Sequence, residues 1–383
     1  MGGSCSDPPT GGAPFTASIN VEAAVFRDHG ADSRYWRQYS PSHAVQQRLL
    51  SFVDRTEEDA VSGRILVGSC SWTDPSLISS GRFYPSGVSS PEARLRYYAT
   101  RFPIVEVDAT YYAPPSRRNS ELWAARTPAG FVFDVKAFAL LTGHPAAADR
   151  LPSELRGLLP PEVAHKRRLY GADLDEAARE ALWELHRDAL APLADAGKLG
   201  AVLFQFPPWF VRSSANRSYV ESLGERLPGW TVAVEFRGGG WMEPDAAASS
   251  LAMLERAGLA YVSVDEPQLE RTSTPPVVAA TAPLAYIRLH GRNADTWNIT
   301  TGAASDRFKY LYSDDELEEW APLVQEVARR AETVHVLFNN NYEDWGMRNA
   351  RRMAQILGVE TAPGDPQPGL GTGGRQERLD LDG

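Results

Sequence analysis

Thr231-Val232-Ala233-Val234-Glu235-Phe236-Arg237 is the stretch on which the fold turns. Its β-branched and aromatic content is that of a strand. Side chains alternate along a strand, so Val232 and Val234 share one face while Glu235 and Arg237 take the other. A helical pattern follows, opened by Pro244 and Asp245 and ended by Gly258, and then a second strand-like run, Ala260–Asp265. Strand, helix, strand within about thirty residues is a parallel crossover unit.

The same unit recurs on both sides. The other runs are Ile65–Ser69, Ile104–Asp108, Phe131–Lys136, Ala201–Phe206, Ala285–His290 and Val334–Asn339. Ser90-Pro91-Glu92 opens the first helix, Ser313-Asp314-Asp315-Glu316 is a capping box before Leu317 and Trp320, and Gly358 closes the last helix. Two connections are irregular. Residues 141–199 are long and carry a strong helix at about 174–196, and 267–283 hold Pro267, Pro275, Pro276 and Pro283 and lack a full helix. An open doubly wound sheet would carry a Gly-rich loop after its first strand. Here that strand ends Gly68-Ser69-Cys70-Ser71-Trp72, and the G-x-G-x-x-G match at Gly369, Gly371 and Gly374 follows no strand. The pattern predicts an α/β fold: a parallel, eight-stranded (β/α)8 TIM-like barrel over 61–360. An irregular N-terminal extension over 1–60, with a short helix at 42–53, precedes it, and a disordered tail over 361–383 follows.

Composition narrows the function. The chain of 383 residues is 43% hydrophobic, yet no apolar stretch reaches the ~20 residues of a membrane helix. A net charge of −10 argues against binding bulk nucleic acid. Cys5 and Cys70 form no disulfide framework, no secretory signal is recognisable, and a cytoplasmic location is expected. The start Met1-Gly2-Gly3-Ser4-Cys5-Ser6 fits a myristoylation pattern, but a Gly/Ser lead-in is the favoured reading. The sequence carries no signature of an oligomeric state.

In a barrel one strand face meets the helices and the other the interior. Glu106 and Asp108, Asp134 and Lys136, Gln205, Glu235 and Arg237, Ser263 and Asp265, and Arg288 and His290 are thereby expected to point inward near the C-terminal rim, where barrel active sites lie. Asn339-Asn340-Asn341 ends the eighth strand with no clear parity. Near balance of sign also fits a purely structural ion network, although an apolar core would be at least as stable. Trp72, Trp209, Trp241, Trp297 and Trp345 follow strand ends, as rings to stack on a ligand or as covers for the barrel end. A divalent cation could use Glu106, Asp108, Glu235 or Asp265, but histidines are few: His290 at a strand end, His144 in the loop after the third strand, and His335 at a strand start.

Gly68-Ser69-Cys70-Ser71-Trp72, Phe83-Tyr84-Pro85, Val105-Glu106 with Thr110-Tyr111-Tyr112, and Phe133 to Lys136 together resemble the DUF72 (YecE-like) family. So do Phe204-Gln205-Phe206-Pro207-Pro208, Val234-Glu235-Phe236-Arg237 with Trp241, Tyr286 to Arg292, and Phe338-Asn339-Asn340 with Asn349-Ala350. The resemblance covers about residues 64–358. It implies a TIM-barrel-like fold and no particular activity. Where the family usually carries Gly this chain has Cys70, and where it usually carries His this chain has Gly238 and Asn341. A proton-transfer or metal role held by those histidines in relatives would be absent here.

The residues predict an enzyme acting by acid–base chemistry on a small phosphate- or carboxylate-bearing, or sugar-like, substrate. Glu235, His290 and Glu106 are the expected catalytic groups. Lys136, Gln205, Arg237, Arg288, Asn339, Asn340, Trp72, Trp241 and Tyr112 are the expected substrate contacts, with no cofactor and no metal. The alternatives are a non-catalytic module binding a nucleotide or single-stranded end, and a metal-assisted phosphodiesterase.

Overall fold

Eight parallel strands close into a barrel in chain order: β1 Arg64–Ser69, β2 Ile104–Val107, β3 Val132–Lys136, β4 Leu199–Phe206, β5 Val232–Phe236, β6 Ala260–Asp265, β7 Leu284–Leu289 and β8 Thr333–Phe338. This is a computed structural model, and it describes residues 63–269, 273–299 and 304–361. The expected extension over 1–60, its helix at 42–53, and the tail beyond Thr361 lie outside them. Closure comes from β1, whose register with β8 runs from Arg64 opposite Thr333 to Ser69 opposite Phe338. The longer helices are α1 Pro91–Ala99, α2 Arg117–Ala125, α3 Glu176–Asp195, α4 Ser214–Glu221, α5 Ala247–Arg256, α6 Asp314–Ala328 and α7 Trp345–Leu357.

The local signals explain these ends. The Ser90 hydroxyl accepts from the Ala93 amide, and Ser313 and Glu316 form the reciprocal capping box of α6. Pro244 and Asp245 fall in a turn before α5 rather than in its first turn. No helix joins β6 to β7 among the described residues. Also among them, no helix is long and apolar enough to cross a membrane.

Two layers of core result. Val105, Val135, Phe204, Val234, Ile287 and Val336 face outward onto the helices, while Leu66, Ile104, Leu203, Ala233, Tyr286 and Leu337 fill the cylinder. A register shift between β3 and β4 turns Gly200 inward, against Asp134 and His335. The sixth strand corrects the expected parity. Val262 and Val264 lie in the interior cluster, and Ser263 and Asp265 face out. The cause is the missing helix. An irregular strap covers this outer face, its Ala279 amide needs an acceptor, and the Ser263 hydroxyl supplies one at 3.3 Å. Asp265 accepts from Trp320 Nε1 at 2.8 Å and from Arg292 Nε at 3.0 Å.

β1 and β2 meet most tightly at Gly68, where a Cβ would stand 2.2 Å from the carbonyl oxygen of Ile104. Backbone cannot swing aside as a side chain can, so Gly68→Ala is expected to cost about 1–3 kcal/mol. A urea midpoint equal to that of the unmodified chain would show that the two strands have room to part.

Candidate active site

The ends of β2, β3, β5 and β7 bring one ion network together around Arg288. Its Nε and Nη2 donate to the two oxygens of Glu106 at 2.9 and 2.5 Å, and its Nη1 donates to Glu235 Oε2 at 2.6 Å. This forked geometry holds two carboxylates with one planar cation. Tyr286 donates to Glu106 Oε2 at 2.6 Å. On the other side Arg237 Nε lies 2.6 Å from Glu235 Oε1, off the hydrogen-bond axis, and its Nη1 pairs with Glu266. Glu266 also accepts from the Thr274 amide at 2.7 Å. Arg288, Glu106 and Glu235 are fully buried.

A chain of amides sets the tautomer of His290. Asn341 Nδ2 donates to the Cys70 carbonyl at 3.3 Å and to Asn339 Oδ1 at 3.1 Å. Asn339 therefore presents its own Nδ2 to His290 Nδ1, 2.8 Å away. Nδ1 accepts, so the ring proton sits on Nε2, 3.3 Å from Glu235 Oε1. Burial and the guanidinium of Arg237 push His290 well below its usual range, so it is neutral. Position 341 thus orients the site through Asn, and Gly238 adopts φ 86°, a conformation L side chains rarely take.

Two carboxylates in one network end with opposite proton affinities. Burial pushes Glu106 up to about 7 against the pull of Arg288, and Asp108 adds repulsion. Burial pushes Glu235 up as well, but Arg288, Arg237 and His290 outweigh it and hold Glu235 well below the carboxylate range. Glu266 is raised by burial to about 7. For Glu106 and Glu266 the folded state binds protons more tightly than the unfolded chain, whose glutamates titrate near ~4.3. Their contribution to stability is full at acid pH and is lost as pH rises towards about 7. Glu235 has the opposite sign and loses its contribution only in strong acid. The melting temperature is therefore expected to fall between about pH 5 and about pH 7.5, and to fall less steeply in Glu106→Gln. An unchanged slope in that variant would remove Glu106 as the cause.

The mouth above this network is cationic and aromatic. Lys136 Nζ lies 3.4 Å from Asp108 Oδ1 and 5.0 Å from the ring centre of Tyr111. Arg237 covers the ring of Trp297 at 5.0 Å, and Arg307 Nε donates to the Trp297 carbonyl at 3.1 Å. Burial and nearby Arg237 push the Arg307 guanidinium down from its usual range. Among the described residues Arg307 meets no carboxylate. Tyr112 and Trp209 are each 60% exposed here.

The structure thus gathers Glu106, Lys136, Glu235, Arg237, Arg288, His290 and Asn339. Gln205 is beside Glu235 in register and makes no side-chain hydrogen bond among the described residues. Tyr112 stands at the rim, edge-on to Tyr111. Three expected contacts lie elsewhere. Trp72 packs edge-on against Trp123 and Phe133 in the outer core. Trp241 stacks on Phe236 at 4.2 Å. Asn340 takes the outer parity of β8 and donates to Tyr310 O and Asn349 Oδ1, both at 2.8 Å. Their residue types suit a ligand, but each falls on the helix side of its strand. Asp134, although inward, is held by His335 at 2.9 Å.

Sequence reasoning missed Glu266, because parity assigned the inward place to its neighbour Asp265, and missed Arg307, which sits in the short 3-10 turn Ala304–Phe308, too brief to show a period. The carboxylates considered for a cation do not converge: Asp265 faces out, and the Arg288 guanidinium lies between Glu106 and Glu235. Among the described residues no three of His, Cys, Asp and Glu are grouped as metal ligands. A separate cavity of about 650 Å³ lies at the opposite end, lined by Leu66, Pro103, Gln325 and Leu357 among others, and none of the network reaches it.

Comparison with known proteins agrees with this architecture. The family described as "Protein of unknown function DUF72" matches residues 66–370. The UPF0759 protein YunF of Bacillus subtilis (strain 168) is 32% identical over 300 residues, covering 77% of this chain and 95% of that one. A DUF72 family protein of Thermotoga maritima MSB8 superposes with a TM-score of 0.60 at 29% identity, covering 77% of this chain and 99% of its own. One of Enterococcus faecalis V583 shares the fold, with a TM-score of 0.60 at 24% identity over 78% of this chain and 99% of that one. With the family's match running through every strand of the barrel, this chain belongs to the DUF72 family.

Proposed function

We propose that the C-terminal mouth of the barrel is the active site of an enzyme that uses acid–base chemistry on a small oxyanion-bearing substrate. One observation carries this reading: the inward network is sealed at Glu106, Glu235 and Arg288 but opens at Asp108, Lys136 and Arg237, whose side chains keep 24%, 13% and 10% of their surface accessible. Asp108 Oδ1 is itself buried, with ionic neighbours Lys136 at 3.4 Å and Arg288 at 3.7 Å and no hydrogen bond, so the accessible part of the side chain lies on its other atoms. A structural plug has no use for an acid left open to the mouth.

Asp108 takes a proton from the substrate, and Lys136 stabilises the charge that develops on oxygen. Hydrolase, lyase and isomerase reactions all admit that step. Arg307, which meets no carboxylate among the described residues, and Arg237 beside it attract the anionic group of the substrate. Gln205, whose amide is unengaged among the described residues, offers it to a polar group. Glu106, Glu235, His290 and Arg288 lie beneath without accessible surface, and act as positioning residues. Asn339 works through His290. A screen of phosphate esters and of hydroxy and oxo acids tests the reading, with Asp108→Asn as the control. Turnover that survives in Asp108→Asn would place the chemistry elsewhere.

A further inference from the structure

The loop after β3 carries a histidine whose hydrogen-bonding role is set by its neighbours. Thr142 Oγ1 lies 3.0 Å from the Ala139 carbonyl, to which it can only donate, and 2.9 Å from His144 Nδ1. A hydroxyl has one proton, so the hydrogen of the second bond belongs to Nδ1. Nε2 is then a bare acceptor, and no described group donates to it. The ring is gripped edge-on by Tyr111 at 5.2 Å and by Trp209 at 5.6 Å. Trp209 is tied to the same loop through Nε1 and the Gly143 carbonyl at 3.3 Å, and it leaves most of its indole open to the mouth. Burial, with Lys136 and Arg237 near, pushes His144 down to about 3, so the ring is neutral near neutral pH.

We infer that His144 is a specificity-determining residue that accepts a hydrogen bond from a substrate hydroxyl, so that the substrate is a hydroxylated oxyanion. This rests on the reading of the mouth as an oxyanion site. The partner of Nε2 must be a donor, and a cationic donor is repelled by Lys136, Arg237 and Arg307. A neutral hydroxyl carried next to a phosphate or carboxylate meets both conditions. The open indole of Trp209 beside it suits the C–H face of a polyol or sugar. Both oxyanions share the chemistry that Arg307 recognises, and the test separates them.

Binding of two matched pairs is measured by calorimetry or ligand-observed NMR: glycerol 3-phosphate against propyl phosphate, and lactate against propionate. The hydroxylated member of at least one pair is expected to bind at least about tenfold more tightly, about 1.4 kcal/mol. The pair that shows the preference names the oxyanion. His144→Phe keeps a ring between Tyr111 and Trp209 but removes the acceptor, and should erase the preference. His144→Gln places an amide oxygen near the Nε2 position and should restore part of it. Arg307→Gln should weaken both members of the pair alike. Equal binding within both pairs, a preference that survives in His144→Phe, no recovery in His144→Gln, or no binding of any probe at about 10 mM would each overturn the inference. A hydroxyl preference in a protein that turns nothing over would sink the enzymatic reading and leave this one standing. Turnover without the preference would do the reverse.

Discussion

Arg288→Met is expected to destabilise the protein by about 3–5 kcal/mol, a large share of the ~5–15 kcal/mol that holds a typical protein folded. Methionine fills much of the same volume, so the loss is not a cavity effect. It comes from the two fully buried carboxylates, Glu106 and Glu235, that Arg288 binds at 2.5 to 2.9 Å. Each would be left with less counter-charge in a site water does not reach. Glu106 would suffer more, because it keeps only the Tyr286 hydroxyl and the pull of Lys136 against a repelling Asp108, whereas Glu235 keeps Arg237 in direct contact. The defect should therefore shrink in acid, where Glu106 takes up a proton. Arg288→Lys should also be costly, since an ammonium cannot reproduce a planar fork to two acceptors. Urea denaturation at about pH 5 and about pH 8 reads all of this. An Arg288→Met protein within about 1 kcal/mol of the unmodified chain at both values would mean that the network is not what holds these carboxylates.

Asp108→Asn separates a mouth-facing acid from a plug of paired ions. The substitution keeps shape and removes one charge. Because the side chain is partly accessible and its contacts to Lys136 and Arg288 are long, stability should change by no more than about 1 kcal/mol. Turnover should fall about 10²–10⁴-fold, the usual worth of a positioned general base. Glu235→Gln should behave differently. It removes a fully buried carboxylate shared by two guanidiniums and leaves them only Glu106 and Glu266, so stability and turnover should fall together. If Asp108→Asn unfolds the protein as readily as Glu235→Gln, Asp108 is a structural ion.

Much of the barrel was legible because the signals that specify it are local. The alternation of Val232 and Val234 against Glu235 and Arg237 needs no knowledge of neighbouring strands, and Ile287 and Leu289 against Arg288 and His290 repeats it. The capping box at Ser313 was equally local and is present. Two kinds of position resisted. The sixth strand read backwards because Val262 and Val264 could face either of two apolar surroundings, and its outer face met an irregular strap and Trp320 that supply donors to Ser263 and Asp265. The tryptophans read as a group because all follow strand ends. Among the proposed contacts Trp72 and Trp241 turned to the helix layer, while Trp297 stands under Arg237.

By itself the sequence determined an eight-stranded parallel cylinder and a set of charges gathered at one end of it, since period-two patterning is written into consecutive residues. Only the tertiary structure decided that Arg288 is shared by Glu106 and Glu235, that Glu266 and not Asp265 joins them, and that Arg307 and His144 come near the charges of Arg237 and Lys136. Those pairings join residues as far apart as 182 positions. Charge partners are chosen by distance through a low-dielectric interior, which no local pattern encodes.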